Sequence, residues 1–242
     1  MSSVVKQPRS LSSAESPQRN DVPELHHGDR LTIEEFERRY DAMPELKKAE
    51  LIEGVVYMAS AVRFEDHGRP HADLMTWLGY YAAFTPEVQS ADNTTLGLRI
   101  GANRPQPDGL LRIVPEFGGQ SSTTKRGYLR GAPELVGEIT ASSASYDLHD
   151  KLHAYERNGV REYVVWRVED RAIDWFILRG DKFRRMPLDK DGVYRSKVFP
   201  GLWLDPQALI NDDLQTVLRL VQEGVQSEEH RKFVERMTAK KH

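Results

Sequence analysis

Two hundred and forty-two residues suffice for one large domain, or two small ones, with a buried core that needs no staple. Cysteine is absent, which excludes a disulfide framework, a thiolate zinc site and a cysteine nucleophile. The 34 basic and 37 acidic residues leave a net charge of -3, so the whole chain does not advertise a polyanion partner, and no apolar run approaches the roughly 18–20 residues of a bilayer span. Residues 1–29 are polar, rich in Ser and Pro, and have no apolar core to offset the entropy of ordering, so a disordered leader is expected. They also lack the apolar segment of a secretory signal, which makes the cytoplasm the expected location.

The first structured signal is Thr32 three residues before Glu35, a capping box opening a short helix that carries Phe36 and Tyr40 and ends near Pro44. Residues 50–58 are β-branched and aromatic around Gly54, which predicts a strand pair or one bent strand. Leu74, Trp77, Leu78 and Tyr81 recur at helical spacing over 71–84. A strand is expected over 87–100, and another from the proline lead-in at 105 to Val114. Residues 115–132 read as a polar loop or short hairpin, and 133–140 as a compact strand.

Ser142, Ser143 and Ser145 are N-cap candidates for a helix with Leu148, Leu152 and Tyr155 on one face, closed by Asn158-Gly159. Strands over 161–168, 172–178 and 182–186 form a meander, an amphipathic helix spans 206–221, and 222–242 reads as a charged helical or frayed tail. The order predicts an α/β (α+β) domain over 30–221, with helices packed on a sheet and one strand–helix–strand crossover at 134–168.

Asp108, Glu138 and Lys151 are the residues most suggestive of chemistry. Two carboxylates on neighbouring strands can share one Mg2+, which takes oxygen ligands at about 2.0–2.1 Å, and a lysine beside them can orient water or meet developing negative charge. Glu138 lies two residues inside its strand end, or ~7 Å at ~3.3 Å per residue, while Lys151 lies ~9 Å into the next helix at ~1.5 Å per residue. The two therefore sit at similar depth, and Asp147, four residues before Lys151, could pair with it. Glu138 stands in an otherwise apolar strand, where a lone carboxylate is costly unless paired or metal-bound. Pro107-Asp108-Gly109 also has the composition of an exposed turn. His67 and His71 share the i, i+4 spacing of a transition-metal pair, although a capping or hydrogen-bonded His71 accounts for the same pattern. Ser142-Ser143 lacks a nucleophile elbow, and no phosphate-binding glycine motif occurs.

Pro107-Asp108, Pro133-Glu134-Leu135-Val136-Gly137-Glu138-Ile139, Ser145-Tyr146-Asp147-Leu148-His149-Asp150-Lys151 and the run from Asn158 to Trp166 resemble the Uma2 family of endonucleases, within the PD-(D/E)XK restriction-endonuclease-like superfamily. Glu50-Leu51-Ile52-Glu53-Gly54 and His71 resemble the family's N-terminal pattern, and the likeness spans roughly 30–205. It implies a restriction-endonuclease-like mixed central sheet flanked by helices, with the meander as an addition.

It also implies a Mg2+-dependent endonuclease acting on DNA, with Mn2+ as an alternative ion, and Asp108 and Glu138 as metal ligands. Position 140, where the superfamily usually has lysine, is Thr140, and Lys151 on the next helix is the corresponding candidate. Glu50 is the candidate for an additional metal-approaching acid, with Glu53 as runner-up. The loop Ala141-Ser142-Ser143-Ala144 departs from the family's S-P-S-T, which keeps a catalytically inactive relative, a DNA-binding or protein-interaction module, as the alternative. Cutting both strands of a duplex calls for two sites, which makes a homodimer the natural arrangement. Residues 95–131 hold six basic residues (Arg99, Arg104, Arg112, Lys125, Arg126, Arg130) against two acids, and 179–197 hold seven against three, so phosphate-facing surface is expected despite the net charge.

Overall fold

The computed structural model describes residues 22–58, 63–140 and 146–239, with side chains from 149 onward in the last segment. The serine caps before the second long helix, the side chains of Asp147 and Leu148, and the leader up to residue 21 lie outside the described residues. Within the remainder of the expected leader, however, Leu25 is buried beside Phe36, Leu51 and Val56. One apolar side chain with a receptive hydrophobic cluster is enough to tie down a polar segment.

Helix α1 (Ile33–Asp41) starts at the predicted cap, where the Thr32 hydroxyl accepts from the Glu35 amide at 3.3 Å. Strands β1 (Ala49–Ile52) and β2 (Val55–Met58) form an antiparallel hairpin that turns at Glu53 and Gly54, both at positive φ. A π-turn, Phe64–Gly68, runs into α2 (Arg69–Ala83). The single strand expected over 87–100 is instead two, β3 (Val88–Ala91) and β4 (Leu96–Gly97), which belong to different sheets. The chain turns at Asn93, φ 46°, whose amide donates to the Pro107 carbonyl at 2.9 Å.

The following strand, β5 (Gly109–Ile113), starts later than its proline lead-in, and β6 (Ser122–Thr123) and β7 (Leu129–Arg130) form the short hairpin. The unit β8 (Leu135–Thr140), α3 (Tyr146–Asn158) and β9 (Glu162–Arg167) follows, with Gly159 at φ 82° closing the helix. Strands β10 (Ala172–Arg179) and β11 (Lys182–Arg185) complete the meander. A small hairpin, β12 (Tyr194–Arg195) with β13 (Trp203–Leu204), is not legible in the pattern, because two-residue strands carry no period.

The helix expected over 206–221 is two helices, α4 (Pro206–Ile210) and α5 (Leu214–Val225). Asp212 takes φ 60° and the Asp213 carboxylate accepts from the Thr216 amide, so local side-chain capping outweighs continuation of the helix. Residues 228–239 form α6 (Glu228–Ala239), with His230, Phe233 and Met237 buried against the body of the protein, so this part of the tail is a docked helix.

The main sheet has the order β11-β10-β9-β8-β5-β3, antiparallel except for the β8–β9 pair. Its two faces follow the period-2 alternation of the strands. Leu135, Ile139, Val164 and Trp166 point into the core shared with α2, α4, α5 and α6. Val136, Tyr163 and Val165 point into the core on the α3 side, with Tyr155. Glu138 has the parity of Val136, which sends it toward α3. On the other face α2 comes unusually close: a Cβ on Gly109 would stand 3.0 Å from Leu78 Cδ1, and one on Gly137 3.2 Å from Leu74 Cδ2. These paired glycines let the middle of α2 sit over the start of β5 and the middle of β8.

Candidate active site

Gly109 lies opposite Gly137 in the antiparallel β5–β8 ladder, and the same register carries Asp108 to the row of Glu138. Asp108 Oδ2 accepts from the Ile139 amide at 2.9 Å, which locks the carboxyl against β8. Asp108 is 2 % exposed, so the exposed-turn reading of Pro107-Asp108-Gly109 is set aside. Its other oxygen, Oδ1, faces Lys48 Nζ at 3.0 Å and His67 Nε2 at 3.3 Å. Burial alone would raise its pKa, but the His67 and Lys48 contacts outweigh it and hold the carboxyl well below the usual carboxylate range.

On the α3 side, Lys151 Nζ lies 3.2 Å from Glu138 Oε2 and 3.0 Å from Glu50 Oε2. Tyr155, one helical turn further on, donates its hydroxyl to Glu138 Oε1 at 2.7 Å. Glu50 Oε1 accepts from the Gln106 amide at 2.7 Å and so holds the proline lead-in to Asp108. All three acids and Lys151 are buried. Burial pushes the Glu138 carboxyl above its ordinary range; Lys151 opposes the rise and Asp108 and Glu50 add to it. Burial also pushes the Tyr155 hydroxyl up, keeping it a donor. For Lys48, burial pulls downward but Asp108, Glu50 and Glu138 outweigh it, so its ammonium is reinforced.

Glu50 and Glu53, the two candidates for an additional acid, part company here. Glu53 sits at the hairpin turn, accepts from Asn103 Nδ2 at 2.8 Å and pairs with Arg157, away from the cluster. His71 Nε2 donates to the Asp108 carbonyl at 2.9 Å, which makes it a hydrogen-bonded positioning side chain. Its ring stacks 5.8 Å from that of His67.

Among the described residues no group of three His, Asp or Glu side chains stands in coordinating geometry. Lys48 and Lys151 occupy the carboxylate oxygens instead. With all three buried acids ionised, two ammonium groups leave one negative charge in excess, and every acid donor is a hard oxygen. This set suits a divalent cation of the Mg2+ type, with the two ammonium groups standing where cationic charge is wanted.

The matching family profile, described as "Putative restriction endonuclease" and named Uma2, covers residues 33–207, well over half of the chain. The chain belongs to the Uma2 family. No curated protein matches this Uma2 chain. A solved structure, described as a putative nuclease belonging to DUF820 from Anabaena variabilis ATCC 29413, is similar at 11 % identity and a TM-score of 0.53. The match covers 79 % of this chain and 99 % of that one. At that identity the likeness concerns the fold, a restriction-endonuclease-like mixed sheet with flanking helices.

Sequence reasoning misses Lys48 altogether and does not connect His67 to Asp108. Lys48 precedes a strand by one residue with no motif around it, and only the bridge from β1 to the proline lead-in of β5, Leu51 with Arg104 and Glu50 with Gln106, brings it to Asp108, sixty residues on. The basic surplus of the Uma2 chain is also smaller in space than in sequence. Arg104 pairs with Glu37, Arg126 with Asp41, Lys182 with Glu156, Arg185 with Asp174 and Arg195 with Asp189 and Asp191. Arg99, Arg112, Lys125 and Arg130 in the first stretch, and Arg179, Arg184, Lys190 and Lys197 in the second, make no ion pair among the described residues. No helix among them is long and apolar enough to cross a membrane.

Proposed function

We propose that this Uma2 chain is an endonuclease that hydrolyses DNA phosphodiester bonds with a divalent cation, Mg2+ or Mn2+, held by Asp108 and Glu138 with Glu50 at its side. The observation that carries this reading is the Lys151 ammonium seated between Glu138 and Glu50, 3.2 and 3.0 Å away, in the row that Asp108 shares across the strand pair. When bound, a divalent cation supplies a hydroxide near neutral pH and neutralises phosphoryl oxygen charge.

The chain's own residues then do the rest. The Ile139 amide keeps Asp108 in one orientation, and the Tyr155 hydroxyl does the same for Glu138. Lys151, fixed by two carboxylates on different strands, presents a compact positive charge to the attacking water and to the more anionic transition state. Thr140, on β8 two residues past Glu138, leaves the lysine role to Lys151 on α3. The deciding experiment is plasmid nicking in Mg2+ and in Mn2+ by wild type and Glu138→Ala, both shown to be folded. Cleavage by wild type alone supports the reading, and identical background cleavage by the two chains overturns it.

A further inference from the structure

Asp108 Oδ1 carries two cationic or proton-donating neighbours at once. Lys48 Nζ lies 3.0 Å and His67 Nε2 3.3 Å away, while Oδ2 is taken by the Ile139 amide. A carboxylate oxygen has room for two partners, so a divalent cation reaches Oδ1 only by displacing one of them. Glu138 differs: Tyr155 holds Oε1 and Lys151 holds Oε2, one partner each, so the exchange is required only at Asp108 Oδ1. Lys48 is the displaceable neighbour. Its side chain is 24 % exposed where that of Asp108 is 3 % exposed, so it stands between the buried acids and solvent. Its amine already has a second anchor outside the acid cluster, donating to Asn93 Oδ1 at 3.1 Å. Lys151, by contrast, is buried between two acids.

We propose that Lys48 holds the place of the divalent cation on Asp108 Oδ1 and, once displaced by it, turns outward to pair with a phosphate of the nucleic-acid backbone. This deepens the metal-dependent reading above and rests on Asp108 as a ligand. The charge arithmetic favours such an exchange. With the three acids ionised and no divalent ion, Lys48 and Lys151 leave them short of neutral by one charge, and losing Lys48 would leave Asp108 Oδ1 with only His67. With the ion on Oδ1, an ammonium about 3 Å from the same oxygen is repelled by it, and a backbone phosphate at the rim is the complementary anion. His67 reaches Oδ1 from the π-turn and keeps Asp108 aimed during the exchange.

The test uses the full wild-type chain and Mn2+ alone. Lysine acetylation read by mass spectrometry should show Lys48 becoming about tenfold more reactive at saturating Mn2+, with Lys151 unchanged, as expected for an amine released from a carboxylate. In calorimetric titration, Lys48→Met should bind Mn2+ about tenfold more tightly than wild type, because a competing charge has gone. In Ca2+, the same variant should bind duplex DNA about tenfold more weakly, having lost one phosphate contact. Unchanged or reduced Lys48 reactivity with Mn2+ bound, Mn2+ binding no tighter in Lys48→Met, DNA binding undiminished in that variant, or no Mn2+ binding by wild type each overturns the proposal. Should Lys48→Met not fold, the wild-type labelling decides. None of these readouts requires cleavage: a chain that releases Lys48 to Mn2+ but never cuts DNA sinks the endonuclease reading alone, and a chain that cuts with Lys48 unmoved sinks this proposal alone.

Discussion

The Lys151 amine bridges Glu138 and Glu50, two acids that lie on different sheets and far apart in the chain. It is the cross-brace between the β1–β2 hairpin and the main sheet, as well as a member of the proposed active site. Removing it leaves two buried carboxylates near each other with no ammonium between them.

Lys151→Met should therefore lower the unfolding free energy by about 3–5 kcal/mol, the usual cost of stranding a buried charge. Glu138→Gln combined with Lys151→Met should recover part of this, since one of the stranded charges is gone. Urea unfolding of the two variants and wild type in metal-free buffer checks both statements. Equal stability of Lys151→Met and wild type would remove the brace from the account.

Glu50 and Glu53, three residues apart, should behave differently. Glu50→Gln loses the charge that faces Lys151 and should lower cleavage at least about a hundredfold, as for loss of one preorganised polar group in a site. Glu53→Gln touches Asn103 and Arg157 at the hairpin turn and should cut at nearly the wild-type rate. Steady-state cleavage of one duplex substrate by both variants separates them, and equal losses would contradict the geometry.

His230 sets a pH dependence on stability that is independent of the site. It is buried in α6 with Nε2 2.9 Å from Thr85 Oγ1 and its ring 5.7 Å from that of Tyr81. Burial lowers its pKa from 6.5, so the unfolded chain binds the proton first as pH falls. The stabilising contribution is present in full above 6.5 and is lost as pH drops toward the lowered folded value. Chemical unfolding at a series of pH values should show this loss in wild type and a shallower one in His230→Gln. Parallel profiles would mean that His230 does not titrate with folding.

Much of the site is legible in the order of residues. Glu138 stands out as an acid in an apolar strand, and rise per residue puts Lys151 at its depth; the observed separation is 3.2 Å. The choice between Glu50 and Glu53 is not legible, because both lie in the same short β-branched stretch and only the hairpin turn at Glu53-Gly54 sends one inward. The break at 211–213 is hidden for a similar reason: the apolar period continues across it, and only the Asp213 cap and the φ of Asp212 reveal the new helix.

The amino-acid sequence by itself determined the crossover unit from 135 to 167, its two faces and the acid and lysine on one of them. Periods of two and 3.6 residues act locally and need no knowledge of distant segments. Tertiary structure alone decided that Lys48 and His67 meet Asp108, that Leu25 and α6 are packed, and that four residues of the basic surplus, Arg104, Arg126, Lys182 and Arg185, are spent on acids elsewhere in the chain. Those outcomes depend on sheet register and on α2 approaching β5 and β8 over two glycines, long-range packing that joins residues no local pattern connects.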